Sequence, residues 1–203
     1  MNVDNVSMQM LPVPDSELVL RAQCADYKAF EELMLRYEKT IYNVAFRITH
    51  EVETAQEIVQ DTFLNVFRSI KNFRQDASFK TWIYKVATNA SLMSLRKGKR
   101  IRELLTDDDS WDSINTRDYK FTTWSIDPQE MFQNTELNNV VRDAISALPD
   151  IYRIAFILRD IEGLSNQETA DILSITLPAL KSRVLRARLQ LREALSEYME
   201  GRA

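Results

Sequence analysis

Glycine is scarce: Gly98, Gly163 and Gly201 are the three among 203 residues. No two stand close enough to build a phosphate-cradling loop. That excludes the P-loop and the dinucleotide fingerprint, which need clustered glycines for close backbone approach. With only five prolines as well, the chain lacks the turn residues of a many-turned β-sandwich or barrel. One histidine, His50, and one cysteine, Cys24, exclude a zinc cluster and an internal disulfide, and leave little for a Ser/His or Cys/His nucleophilic site. No apolar run approaches the ~20 residues that span a bilayer. The first fifteen residues carry no basic residue, apolar segment or small-residue cleavage site, so neither a signal peptide nor membrane insertion is expected. A lone cysteine suits a reducing cytoplasm. What remains is 45% hydrophobic and 28% charged, ample for packed cores. At ~150 residues per domain the length allows one large domain or two small ones. The composition predicts a helical protein that is not an enzyme and holds no metal or cofactor.

The net charge of −4 conceals a strong pattern. No acidic residue lies between Asp76 and Glu103, whereas Lys80, Lys85, Arg96, Lys97, Lys99, Arg100 and Arg102 are basic. A second acid-free stretch, Ile172 to Arg192, holds Lys181, Arg183, Arg186, Arg188 and Arg192. Between them stand Glu103, Asp107, Asp108, Asp109, Asp112 and Asp118, against Arg117. A single basic run is as readily a solvated face. Two of them in helical segments, separated by an acidic connector, point to two sites for phosphate backbone.

Hydrophobic periodicity predicts four helices in the first half. The first starts near Asp15–Ser16, which can cap it, and carries Leu18, Val19 and Ala22 on one face. The second covers about 29–48, with His50 just past its end, where a histidine meets terminal carbonyls. The third runs from about Glu53 to Ile70, with a stripe of Ile58, Val59, Thr62, Phe63, Val66, Phe67 and Ile70. Glu57, Gln60, Asp61 and Leu64 fall off that stripe. After a loop at 72–78, a long helix spans Phe79 to about Lys97, and Gly98 is its expected stop. These four helices share enough apolar surface for a bundle. Periodicity then vanishes to Pro128, leaving a linker whose Trp111, Tyr119, Phe121 and Trp124 suit either tethering or partial packing.

Helical patterns return over Gln129–Ala147 and Tyr152–Ile161, the latter ending at Gly163. Ser165-Asn166-Gln167-Glu168 is a capping box: the Ser hydroxyl covers the Glu amide and the Glu carboxylate reaches back. The helix it opens carries Ala170, small enough for a second helix to cross closely. Ser174-Ile175-Thr176 makes a turn, and Thr176 can cap a helix with Pro178 in its first turn. That helix buries Leu180, Val184, Leu185, Ala187, Leu191 and Leu195 and exposes the basic residues. A plain helical hairpin fits this pattern, but the clustering of cations on the second helix favours a DNA-binding helix-turn-helix. Its early turns, with Lys181, Ser182 and Leu185, would meet bases. Arg188 and Arg192, further on, would meet phosphates or turn inward, with Arg186 at the boundary.

Two sets of residues carry a family resemblance. Ala55-Gln56-Glu57-Ile58-Val59-Gln60-Asp61-Thr62-Phe63 and Phe79-Lys80-Thr81-Trp82-Ile83-Tyr84-Lys85-Val86-Ala87-Thr88-Asn89 resemble region 2 of the extracytoplasmic-function sigma factors. Ala147-Leu148-Pro149, Glu162-Gly163-Leu164-Ser165-Asn166-Gln167-Glu168-Thr169-Ala170 and Lys181-Ser182-Arg183-Val184-Leu185-Arg186-Ala187-Arg188 resemble their region 4. The resemblance implies an all-α protein of two small helical domains: region 2 over 15–98, an acidic flexible linker over 99–128, and region 4 over 129–203. It implies that the protein binds core RNA polymerase, region 2 through the β′ clamp helices and region 4 through the β-flap. The Glu57, Gln60, Asp61 face is similar to the family's β′-binding helix. Phe73 and Asn89 match positions where the family pockets a flipped −10 base, a ring stacking on it and an amide reading its edge; Lys80, Arg96 and Lys97 supply charge for that strand. Trp82 and Tyr84 match an aromatic motif but at helical spacing read as core. Lys181, Ser182, Arg183, Leu185 and Arg186 match positions that read the −35 duplex. The linker is similar to segments that pass near the active centre, and control by a separate anti-sigma protein is what the family implies.

Pro178-Ala179-Leu180 stands where many members have Gly-Thr-Val, so −35 preference does not transfer. The alternative is an operator-binding helix-turn-helix regulator with residues 1–100 as a sensor or dimerisation unit. It leaves the basic, aromatic-bearing long helix unexplained. A helical enzyme lacks converging residues for a site.

Overall fold

A computed structural model describes residues 13–97 and 135–200. The first helical group comprises α1 (Asp15–Gln23), α2 (Tyr27–Thr49), α3 (Val52–Ser69), a short 3-10 turn (Ile70–Asn72) and α4 (Phe79–Lys97). The second comprises α5 (Thr135–Ala147), α6 (Asp150–Phe156) continued by a π-helical turn (Ile157–Ile161), α7 (Asn166–Leu173) and α8 (Leu177–Glu200). No strand occurs among the described residues. The acidic stretch, its four aromatics, Gly98 and residues 129–134 lie outside the described residues.

Asp15 and Ser16, expected as caps, stand inside α1, and Pro14 holds the cap position without a side-chain bond. The Asp15 carboxylate is drawn instead to α2, where it pairs with Arg36 at 2.9 Å and accepts from the Tyr37 hydroxyl. An acid in the first turn still favours the helix dipole. α2 begins two residues earlier than its apolar pattern, because the Asp26 carboxylate accepts from the backbone N–H groups of Lys28 and Ala29 at 3.0 and 3.2 Å. It ends at His50, in the left-handed region at φ 60°, whose N–H returns to Phe46 O.

The α2 stripe buries Leu33, Ile41, Val44 and Ile48 against Phe63 and Val66 of α3 and Ile83, Tyr84 and Ala87 of α4. Phe67, expected on the inner stripe of α3, is 46% exposed. Tyr27 stacks on it at 6.3 Å and Phe30 meets it edge-on at 5.1 Å, so the aromatic contact lies at the rim.

The second group packs against the first. Ile154, Ile157, Leu158, Leu164 and Ile172 join the apolar core of the first. Two smaller cores hold the group together: Ala155, Ala170, Leu180 and Val184 between α6, α7 and α8, and Leu148, Ala187 and Leu191 beneath α5. Polar contacts cross the same junction. Arg153, 4% exposed, reaches from α6 to the Ile48 carbonyl at 3.1 Å, to Leu148 O at 2.9 Å and to the Asp150 carboxylate. Gly163 follows the π turn at φ +69°, where a Cβ would meet nothing within 4 Å. Its requirement is conformational rather than spatial.

Candidate nucleic-acid interface

On α3, Glu57, Gln60 and Asp61 are all exposed, one turn apart on the face opposite Ile58, Thr62 and Phe63. Gln60 also lines a groove of about 540 Å3 between α2 and α3, with Leu35, Glu38, Lys39, Tyr42, Gln56 and Val59. Leu35 and Leu64 are exposed nearby, at 67% and 50%. Carboxylates and amides beside open apolar side chains form an amphipathic face suited to another protein's helix.

The second surface begins at Phe73. Its ring lies flat on Trp82, centroids 4.5 Å apart and planes within 12°, and meets Phe79 edge-on at 6.3 Å. The Gln23 amide fixes the loop by donating to Ile70 O and Phe73 O at 3.0 and 2.8 Å. A hollow of about 370 Å3 opens beside the stack, lined by Phe73, Gln75, Ser78 and Lys80 of the loop and α4 and by Asp15 and Ser16 of α1. Asn89 does not line it. It is exposed on α4 two turns beyond Trp82, about 10 Å along the axis. The same face carries Lys85, Met93 and Arg96, all exposed, with Lys97 at the helix end. Trp82 is half-buried and Tyr84 is buried at 2%, in keeping with a core reading of both. The Lys80 ammonium reaches to the junction instead: its Nζ donates to Glu162 O at 3.2 Å and lies 5.7 Å from the Tyr84 ring.

The third surface is the helix-turn-helix. Both halves of the capping box form: Glu168 N–H donates to Ser165 Oγ at 3.1 Å and Ser165 N–H to Glu168 Oε2 at 2.9 Å. Glu168 also accepts from Thr81 Oγ1, and these donors, Thr81 foremost, hold its carboxyl below the usual carboxylate range. Thr176 caps α8 by accepting from Ala179 N–H at 3.3 Å. Ser174 at φ 55° makes the turn between the helices. On α8, Lys181 is exposed, and Ser182, Arg183, Leu185 and Arg186 are half-buried. Burial pulls the Arg183 guanidinium down from its ordinary value, although an arginine stays charged at any such shift. Arg186 Nη1 donates to the Tyr152 hydroxyl at 2.8 Å, its guanidinium 5.7 Å from that ring. Arg188 is engaged with Asp160, at 2.8 and 2.6 Å, and Arg192 is exposed.

Sequence reasoning missed the residues at the junction. Nothing local signals the pairing of Arg47 with Glu162, 115 residues apart, or the reach of Arg153 to the Ile48 carbonyl, 105 residues away. Among the described residues no helix is long and apolar enough to cross a membrane, and no group of three or more His, Cys, Asp or Glu is placed to hold a metal ion.

The architecture is that of an all-helical DNA-binding protein: an aromatic stack heading a basic helix, and a capped helix-turn-helix, in one chain. Family models place it further. Sigma-70 region 2 matches residues 33–101 and sigma-70 region 4 matches 138–191. The RNA polymerase sigma-H factor of Pseudomonas aeruginosa is 31% identical over 192 residues, covering 91% of this chain and 95% of that one. The ECF RNA polymerase sigma-E factor of Haemophilus influenzae is 30% identical over 188 residues, covering 91% and 97%. Among solved structures, the sigma factor RpoE in complex with the anti-sigma factor NepR from Bartonella quintana superposes with a TM-score of 0.60 at 24% identity, covering 83% and 98%. The chain belongs to the sigma-70 family and is a sigma factor of the extracytoplasmic-function group.

Proposed function

We propose that this sigma factor recruits core RNA polymerase to promoters and opens them, with residues 15–98 and 129–203 as separate recognition units and 99–128 connecting them. Glu57, Gln60 and Asp61 dock the β′ clamp helices, and the second unit touches the β-flap. Phe73 and Asn89, with Lys80, Arg96 and Lys97, hold the −10 strand. Lys181, Ser182, Arg183, Leu185 and Arg186 read the −35 duplex. The observation that carries the reading is the exposed Lys85–Asn89–Met93–Arg96 face of α4, headed by the Phe73–Trp82 stack. Single-strand binders combine an aromatic platform with a track of cations in this way. An operator-binding regulator needs only the helix-turn-helix.

A cytoplasmic location follows from that role. The named complex of a relative with an anti-sigma factor supports an anti-sigma partner for this chain also. The test is reconstitution: the purified chain with core polymerase gives promoter-specific run-off transcripts, and neither component alone does. Specific operator binding without any core association would install the regulator in its place.

A further inference from the structure

Tyr152 stands in the first turn of α6, beside α8. Its ring packs on the small core of Leu148, Ala187 and Leu191, so apolar burial fixes its place. Its hydroxyl reaches past that core and accepts from Arg186 Nη1 at 2.8 Å, with the guanidinium carbon 5.7 Å from the ring centroid. A hydrogen bond at the tip and cation–π attraction at the ring thus act on one side chain. Arg183, three residues before Arg186 and on the same flank of α8, is half-buried. Lys181 projects elsewhere. Five residues turn a helix by about 140° beyond a full turn. Arg186 therefore leaves α8 well to one side of Lys181, and its long side chain needs a bearing.

We propose that Tyr152 is a positioning residue for −35 recognition: its hydroxyl orders the Arg186 guanidinium at the edge of α8 before DNA arrives. The proposal rests on the promoter reading above, in which Arg186 meets the −35 duplex. An arginine that is mobile in the free protein loses rotamer freedom on binding, and that loss subtracts from affinity. A tether made within the domain moves the loss to folding, so binding no longer bears it. The tether itself uses one N–H of a planar group that carries five, so DNA is met with the bond in place. Tyr152→Phe isolates this role, because it keeps the ring on Leu148, Ala187 and Leu191 and every charge of α8.

The test compares the unsubstituted full chain with Tyr152→Phe, Arg186→Ala and the double variant. In the full chain alone, nuclear spin relaxation of the arginine Nε–Hε groups reads the tether: the Arg186 signal is rigid and becomes mobile in Tyr152→Phe. With core polymerase added, the probe is the promoter duplex that the unsubstituted holoenzyme selects from a randomised pool. Tyr152→Phe weakens its binding about threefold to tenfold, the scale of ordering one long side chain, and leaves the salt slope unchanged because no charge is lost. On the Arg186→Ala background the same substitution has no further effect, which a general loss of packing would not produce. Additive losses, unchanged affinity in Tyr152→Phe, or an Arg186 signal equally rigid without the hydroxyl overturn the proposal. So does tighter binding, which would mean that the hydroxyl competes with DNA for the guanidinium. Unchanged binding in Arg186→Ala removes Arg186 from the −35 surface and the proposal with it. The promoter reading fails distinguishably: the unsubstituted holoenzyme then selects no duplex at all, and the positioning role falls with it even where the Arg186 signal responds.

Discussion

Arg188 and Asp160 form a two-pronged ion pair, Nε to Oδ2 at 2.8 Å and Nη2 to Oδ1 at 2.6 Å, which ties the middle of α8 to the π turn after α6. A cation on the outer part of a recognition helix is expected to meet phosphate. Here it holds two helices of its own domain together.

Arg188→Ala therefore acts first on stability. The guanidinium is 41% exposed and its partner 18%, so solvent screening limits the loss to about 1 kcal/mol. Thermal unfolding of Arg188→Ala, Asp160→Ala and the double variant measures it. A coupling energy of zero in that cycle refutes the pairing as a stabilising contact.

Acid should weaken the fold through Glu168. Its hydrogen bonds from Thr81 and Ser165 depress its pKa below the ordinary 4.5. A depressed carboxyl contributes stability above the unfolded value and loses it as pH falls through the folded one. The advantage of the unsubstituted chain over Glu168→Gln is thus constant at neutral pH and shrinks below about pH 4.5. Melting temperatures across that range check it, and parallel acid limbs in the two proteins contradict it.

Phe73→Ala and Asn89→Ala should part company. Both impair strand opening, by about 1–3 kcal/mol for a lost stacked base at Phe73. Only Phe73→Ala also lowers the melting temperature, because its ring packs on Trp82 and Phe79 whereas Asn89 is exposed. Permanganate reactivity of promoter thymines and calorimetry on the same samples separate the two effects. Unchanged permanganate patterns in both variants remove these residues from the −10 surface.

Base reading and phosphate anchoring should separate along α8. Lys181, exposed in the first turn, affects which −35 sequences are preferred, by about 1–3 kcal/mol at one position. Arg192, exposed three turns on, affects all sequences alike, and Arg192→Ala flattens the salt slope by about 0.9. Site selection at two salt concentrations distinguishes them. An altered preference in Arg192→Ala with an unaltered one in Lys181→Ala reverses the helix in the groove.

The legible parts of this chain are those written in short spacings. Ser165 and Glu168 announce a helix start three residues apart, and both bonds form. The stripe through Ile58, Thr62, Phe63 and Val66 points inward, and Glu57, Gln60 and Asp61 point out. Contacts between distant segments leave no such trace. Arg188 reads identically in sequence whether it meets Asp160 or a phosphate. Asn89 and Phe73 share a family role, but only the structure shows two helical turns between Trp82, on which Phe73 lies, and Asn89. The joint at Glu162 depends on which faces of two amphipathic groups meet, and periodicity is silent about partners.

The π turn sets the phase of everything after it. The Glu162 N–H bonds to Ile157 O, five residues back, where an α-helix would reach four. One additional residue in a turn advances the following chain by about 100° of rotation and 1.5 Å of rise. That offset aims Glu162 across at Arg47 and Tyr84 and delivers Gly163 at the positive φ from which α7 departs. The wide turn works as an angular spacer: it sets the bearing of the helix-turn-helix, while the side chains of that motif decide what it reads.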